Sequence, residues 1–408
     1  MGPRAPRLLV VATHPIQYHA PLFRALAASG RVDLVVGFLD LPDAARQGAG
    51  FGVDFAWDVP LTDGYRWVRL SAAVVQGPRA SRFPGRRWRR PLRDLTVLAP
   101  DVVMVMGWNQ LGLVQAWLAA KWRGLPLIVR GESNAKRLRV RWKRSLHRIL
   151  LSLPDRYIAI GRSNRRFYLE SGVADGAIAD APYFVDNAFF ASRAMALDRT
   201  AQRAAWGIRA DDVCVLFAGK FEDKKRPCDL LAAVAGLPEH VRARIAILMV
   251  GAGQQADRLR SMAQAHGLRA VWAGFLNQTE MPAAYAAADL LVLPSDHGET
   301  WGLVVNEAMA CGVPAVVADQ VGCADDLVRD GETGLVFPTA DVAALGAAIA
   351  RLVTDPELRR ALGDAARRVV TNDYTVQCSV DAVVATVDAL MRGPAGRSAG
   401  AASSDQGA

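Results

Sequence analysis

At 408 residues the chain is longer than one hydrophobic core usually supports, so two domains are expected. Hydrophobic residues make up 51%, which excludes a largely disordered protein and suffices for two cores. The net charge of +9 points to an anionic partner such as a nucleotide, a phospholipid or a nucleic acid, without choosing among them.

The opening "MGPRAPRLLVVATHP" has a basic start, but its apolar run is short and ends at Thr13 and His14, which fits a first buried strand better than a signal sequence. Further Val-, Ile- and Leu-rich runs follow at 32–39, 101–107, 126–131 and 156–161, separated by helix-length segments. Continuous apolar strands alternating with helices predict a parallel sheet covered on both faces. An Arg- and Ala-rich stretch through Arg209 reads as a linker with a helix, and the strand pattern then restarts at 213–220, 244–253, 271–275, 290–295, 314–319 and 334–337. The small, polar tail 393–408 is expected to be disordered. No stretch approaches the ~20 apolar residues of a membrane span. The five cysteines (Cys214, Cys228, Cys311, Cys323, Cys378) form no CxxC pair and read as reduced thiols of a cytosolic protein.

Ligands of open parallel sheets bind beyond the carboxyl ends of strands, so the chemistry is expected in loops 13–20, 130–134, 219–227, 251–254 and 294–303. The last of these leads into "ETWGLVVNEAMACGVP", with Glu299 and Glu307 eight positions apart. A helix is predicted from Thr300–Gly302 to about Cys311, stopped by Gly312 and Pro314. Glu299 would then mark its N-terminal edge and Glu307 would lie two turns inside, about 12 Å along the axis. Carboxylates accept hydrogen bonds from pairs of sugar hydroxyls, and the backbone amides at 301–303 form an anion site between them. Charges solvated on a helix surface are the alternative. In "FAGKFEDKKRP" a strand ends at Gly219, whose missing side chain admits a ligand, and Lys220 and Lys225 follow as candidate cations for a diphosphate or as ordinary surface lysines. "VGAG" lacks the full dinucleotide fingerprint, so Gly251 and Gly253 read as turn glycines.

The strand-end Gly-Lys with a lysine five residues on, "VGAG" after the next strand, Glu-x7-Glu, and "GCADDLVRDGETGLVF" (322–337) in this order resemble the family-four retaining glycosyltransferases of the GT-B fold, as found in bacterial cell-surface glycan synthesis. The resemblance is strong over 213–340 and only in outline before it. It implies an α/β protein with two Rossmann-like, doubly wound parallel-sheet domains facing across a cleft. The acceptor domain would span 1–190, a linker 191–210, the nucleotide-sugar donor domain 211–372 and a C-terminal helix 373–392. It makes Glu299 and Lys225 the catalytic candidates, with Glu299 on hydroxyls of the transferred sugar and Lys225 with Lys220 on the diphosphate beside Gly219. Glu307 would bind the donor ribose, the amides of Trp301, Gly302 and Leu303 the sugar or distal phosphate, and Phe275 and Leu276 the base. The leaving diphosphate itself can take the acceptor's proton, so no dedicated base and no metal or other cofactor is implied.

The first domain departs from the pattern. Relatives often carry a glycine pair after the first strand, whereas "THPIQYHAPLF" has no glycine, which weighs against a backbone phosphate contact there. His14, Gln17 and His19 are candidates for touching donor or acceptor, and Glu132 in "RGES" either sits beside the reacting centre or caps a loop. Two acid-free stretches concentrate the positive charge. Residues 79–93 hold seven arginines with Phe83 and Trp88 between them, and 136–148 hold seven Lys and Arg with Trp142. In a helix, Leu138, Trp142 and Leu146 share a face, the pattern of a segment lying on anionic headgroups. A solvated basic face is the alternative, and no base-reading module accompanies the charge, so nucleic acid is not the expected partner. Together with the resemblance, which implies a hexosyltransferase with a nucleoside-diphosphate sugar donor, these features lead to the expectation of a cytoplasmic enzyme, peripheral at the inner face of the membrane, with a lipid-linked glycan acceptor. A nucleotide-sugar 2-epimerase, or a non-catalytic nucleotide-sugar or nucleic-acid binder, stays open.

Overall fold

The computed structural model describes residues 4–48, 52–73, 83–137 and 139–392. The tail 393–408, residues 79–82 of the first basic stretch and Leu138 of the second lie outside the described residues.

The apolar runs fold as parallel strands. The first half contains β1 (Arg7–Ala12), β2 (Asp33–Phe38), β3 (Arg66–Arg69), a short antiparallel pair β4 (Ala72–Ala73) and β5 (Arg87–Trp88), then β6 (Val102–Val105), β7 (Leu127–Arg130), β8 (Arg156–Ala159) and β9 (Ile178–Asp180). The second contains β10 (Val213–Ala218), β11 (Ile245–Val250), β12 (Ala270–Gly274), β13 (Leu290–Leu293), β14 (Ala315–Ala318) and β15 (Gly334–Phe337). Among the described residues these make one seven-stranded sheet, β3-β2-β1-β6-β7-β8-β9, and one six-stranded sheet, β12-β11-β10-β13-β14-β15. Strand order reverses next to β1 and next to β10, and crevices at such reversals are where ligands enter. The register from Val213↔Ile245 to Ala218↔Val250 ends β10 and β11 level, so loops 219–226 and 251–254 leave from one edge.

Side chains alternate across a strand, and both faces of the first sheet are covered. Leu9, Val11, Val103, Val105 and Val129 meet residues of the helices Pro91–Leu98 and Leu111–Trp122. Leu8, Val10, Val102, Met104 and Ile128 pack with the helix Ala20–Ala28 and with Val380, Val383, Val384 and Val387 of the last helix, Val376–Met391. The edge strands β3 and β9 were not legible as apolar runs, because short edge strands need no continuous apolar stretch.

Two glycines illustrate different demands. Gly251 has φ +136°, and a Cβ there would sit 1.9 Å from the Gly219 carbonyl oxygen, whereas Gly312, φ +76°, has nothing within 4 Å. Gly312→Ala carries only backbone strain, about 1–3 kcal/mol. Gly251→Ala must also push two loops apart, so it is expected to lower the melting temperature more. Equal shifts in a thermal melt would show that the two loops do not need this close approach.

Candidate functional site

Residues expected to bind a ligand converge at the carboxyl ends of β10, β11 and β13. The helix after β13 runs Leu303–Ala310, with Gly302 at its cap in the left-handed region, φ 99°. This corrects the expected start at Thr300–Gly302. Glu299 lies in the preceding loop, and only Glu307 is helical, so the 12 Å helical separation does not apply. Glycine is needed at the cap, since a Cβ on Gly302 would meet the Leu293 side chain at 2.7 Å.

Glu307 is buried, and both its oxygens accept hydroxyls: Tyr18 Oη at 2.8 Å on Oε1 and Tyr285 Oη at 2.5 Å on Oε2. Burial raises its pKa to about 7, with the two tyrosine hydrogen bonds pulling the other way. Around it a cavity of about 100 Å³ is lined by Tyr18, Trp57, Gly219, Gly251, Phe275 and Leu276 among others. The structure therefore brings together Glu307, Gly219, Phe275 and Leu276 as expected. It adds aromatic residues of the first half: Phe55 meets Phe275 with ring centroids 4.3 Å apart, and Asp58 accepts the Thr279 amide at 3.1 Å.

Lys225 and Glu299 form an ion pair, each side chain 14% exposed. The Lys225 chain passes over Gly219, where a Cβ would find Lys225 Cε at 3.8 Å. Lys220 is half-buried, its pKa drawn down by burial against the pull of Glu222. The loops of 220–226 and 294–300 are tied by the Asp296 amide on the Lys224 carbonyl at 2.9 Å. Among the described residues, the amides of Trp301, Gly302 and Leu303 have no protein acceptor. The Trp301 side chain is a structural part: it is buried, donates to Asn306 Oδ1 at 2.8 Å and packs on Tyr183 at 5.8 Å. Asn306 in turn donates to the Tyr183 carbonyl at 3.0 Å, which locks the helix against the first half.

Across the crevice, His19 and not His14 faces Glu132, with Nε2 3.7 Å from Oε1. Tyr183 Oη donates to the same Oε1 at 2.7 Å. Burial would raise the Glu132 carboxyl, but His19, Arg130 and Tyr183 together hold it at about 2. His14 lines neither crevice cavity; it bonds Thr13 Oγ1 at 2.9 Å, and burial, with Arg86 nearby, lowers its pKa to about 4. Tyr18, Tyr285, Trp57 and Arg130 were missed. Tyr285 in "MPAAYAA" reads as ordinary core. The arginine that ends the apolar run of β7 was a usable signal.

The basic stretches divide. Arg86 is buried against Asp40 at 2.9 Å, Trp88 is fully buried and donates to Asp94 at 2.7 Å, and Lys136 pairs with Asp325 at 2.8 Å. Contrary to expectation, Arg86 and Trp88 are buried and Lys136 is half-buried, because each is held by a carboxylate. Arg87, Arg89, Arg90 and Arg93 are exposed, as are Arg141, Trp142, Lys143, Arg144 and Arg148 of the helix Arg141–Leu150.

Residues 198–369 match the family model for glycosyl transferases, group 1. The match lies in the second half of the chain. The matched segment carries Gly219, Lys220, Lys225, Glu299 and Glu307 together. A D-inositol 3-phosphate glycosyltransferase of Saccharomonospora viridis is 37% identical over 179 residues, 41% of each chain. A glycogen synthase of Mycobacterium tuberculosis is 35% identical over 181 residues, 44% of this chain and 43% of the relative. The chain thus spans about two fifths of the length of these curated relatives. Over 94% of this chain and 100% of the other, the fold superimposes on Anabaena HepE, solved with UDP, at a TM-score of 0.71 and 16% identity. WaaG, a glycosyltransferase involved in lipopolysaccharide biosynthesis, matches over 92% of this chain and 98% of its own at a TM-score of 0.65 and 16% identity. The two-sheet arrangement is the GT-B fold.

Proposed function

We propose that the protein is a retaining hexosyltransferase that moves a sugar from a nucleoside-diphosphate donor to a lipid-linked glycan acceptor in cell-surface polysaccharide assembly. One observation carries the reading: Glu307, the Lys225–Glu299 pair and the Phe275–Leu276 wall meet at the strand-order reversal of the second sheet and face the first half across the crevice. In this reading Phe275 and Leu276 hold the base, Glu307 the ribose, and Lys220 and Lys225 the diphosphate. The amides of 301–303 hold the distal phosphate or sugar, and Glu299 orients the sugar hydroxyls. Lys225 then stabilises the charge that develops as the diphosphate leaves, and that group takes the acceptor's proton, so the reaction needs no dedicated protein base. The test is a thermal-shift screen against UDP, GDP, ADP and their sugars, since a ligand at 100 times its Kd stabilises by ~2.7 kcal/mol. Incubation with the donor that binds follows, with the anomeric configuration of the product read by NMR. Turnover of donor alone into an epimer would assign the runner-up activity, and binding without turnover would make the protein a binder.

The membrane part of the proposal rests on one side of the first sheet. The helix Arg141–Leu150 exposes Trp142 (64%), Leu146 (53%) and Ile149 (69%) between its basic residues. Trp122 and Val97, on helices packed against the same sheet face, are also exposed. Apolar side chains interleaved with Arg and Lys suit an anionic headgroup layer. No helix among the described residues is long and apolar enough to cross a membrane. Vesicles containing anionic lipid are expected to bind the protein, less so as salt rises, because screening acts over about 8 Å at physiological strength. Changing Arg141, Lys143, Arg144 and Arg148 to glutamate should abolish binding, at ~1 kcal/mol per cation removed. Trp142→Ser should remove a salt-resistant part. Indifference of the wild-type protein to anionic vesicles at low salt would favour a soluble acceptor.

A further inference from the structure

A second crevice cavity, of about 320 Å³, opens where β6 and β7 of the first sheet end. Its lining includes His19, Trp108, Asn109, Arg130, Arg137 and Thr300, the last from the loop that carries Glu299. Arg130 is 2% exposed, yet its Nε and Nη1 have no hydrogen-bond partner. Its guanidinium carbon lies over the Tyr183 ring, 4.8 Å from the centroid. A buried guanidinium with unused donors is costly unless something accepts from it. Glu132, which also lines the cavity, spends one oxygen on Tyr183, and among the described residues no ion pair joins it to Arg130. Burial lowers the His19 pKa, with the Glu132 hydrogen bond pulling the other way and Arg130 adding to the burial effect. Two arginines, Arg130 and Arg137, line the cavity against the single carboxylate of Glu132.

We propose that this cavity is an oxyanion pocket for the acceptor, taking a phosphate or carboxylate group on the acceptor substrate through the free edge of Arg130, with Arg137 at the rim. Guanidinium forks match such groups bidentately. The inference rests on the glycosyltransferase reading for the word acceptor, but the pocket itself does not. The donor's own diphosphate is the other source of the same chemistry. It has Lys220 and Lys225 in the second half, whereas Arg130 belongs to the first, so the acceptor is the occupant favoured here.

Inorganic phosphate is the probe, titrated calorimetrically into the full-length protein saturated with UDP, with UDP affinity measured separately. Phosphate is expected to bind the UDP-saturated protein. Arg130→Met should weaken that binding by about tenfold or more, the loss of a charge-assisted hydrogen bond. Arg130→Lys should retain part of it, and UDP affinity should stay as in the wild type. Far-ultraviolet circular dichroism and the melting temperature verify that both variants are folded; the lysine variant keeps the test open if the methionine variant is not. Phosphate binding that disappears once UDP is bound, or that Arg130→Met leaves unchanged, overturns the pocket. Binding lost in Lys225→Ala and kept in Arg130→Met also overturns it, by assigning phosphate to the donor site. Should the folded protein ignore every nucleotide, the transferase reading falls, and the Arg130 dependence of phosphate binding still decides the pocket on its own.

Discussion

Replacing Lys225 by alanine is expected to slow sugar transfer by about ten- to a hundredfold and to weaken donor binding, the ~1.5–3 kcal/mol of a lost charge-assisted hydrogen bond. The residue has two tasks in the proposed site. It faces the diphosphate position above Gly219, and it neutralises Glu299, whose side chain is only 14% exposed. The alanine variant leaves that carboxylate without its cation in a partly desolvated loop, so the melting temperature should fall as well as the rate. Pairing it with Glu299→Gln removes the stranded charge and should restore the melting temperature without restoring turnover. A folded Lys225→Ala protein with unchanged donor affinity and unchanged rate would take Lys225 out of the site.

Glu307→Gln is expected to weaken binding of the free nucleoside diphosphate by a similar factor, while Glu299→Gln should spare that binding and reduce turnover of the sugar nucleotide. The difference follows from where the groups lie: Glu307 shares a cavity with the base wall, and Glu299 sits in the loop across the lysines. The pH dependence offers an independent reading. A folded-state pKa of about 7 against an ordinary 4.5 means that the fold holds this proton more tightly than the unfolded chain. Stability contributed by the neutral carboxyl is therefore present in acid and is lost as pH rises from about 4.5 through about 7. Nucleotide affinity should run the other way, rising through neutrality as the carboxylate becomes able to accept two ribose hydroxyls. The glutamine variant should flatten both profiles. Equal effects of the two glutamine variants on free nucleotide would show that the division between ribose and sugar is wrong.

The second sheet was legible strand by strand, because each of its strands is an unbroken apolar run between turn residues, and the buried β10 and β11 are the plainest cases. Its site was legible for the same reason: charged residues and glycines placed directly after such runs have few structural motives. Glu299 could be found but not placed, since helix propensity does not reveal that the Gly302 cap starts the helix only at Leu303. The first half was less readable. Tyr18 reaches Glu307 across 289 positions of sequence, and pairings of that range leave no local periodicity. Arg86, Trp88 and Lys136 looked like surface charge and a surface aromatic because local sequence does not show Asp40, Asp94 and Asp325 closing over them.

The last helix, Val376–Met391, has a consequence for how the protein is made. Its valines sit in the same core as Leu8, Val10 and Phe23, Ser379 Oγ donates to the Pro182 carbonyl at 2.8 Å, and Asp381 pairs with Arg31 at 2.6 Å. A chain emerging from the ribosome thus completes its first sheet with residues made only after the whole second sheet. Until residues 380–387 clear the exit tunnel, one face of that sheet stays open beside a finished second half. The nascent protein must keep that apolar surface from sticking until then, the kind of exposure that chaperones guard. A stop codon just before Val376 would leave the part of that face not covered by the helix Ala20–Ala28 bare for good, so such a chain should aggregate although every residue expected to touch the donor is present.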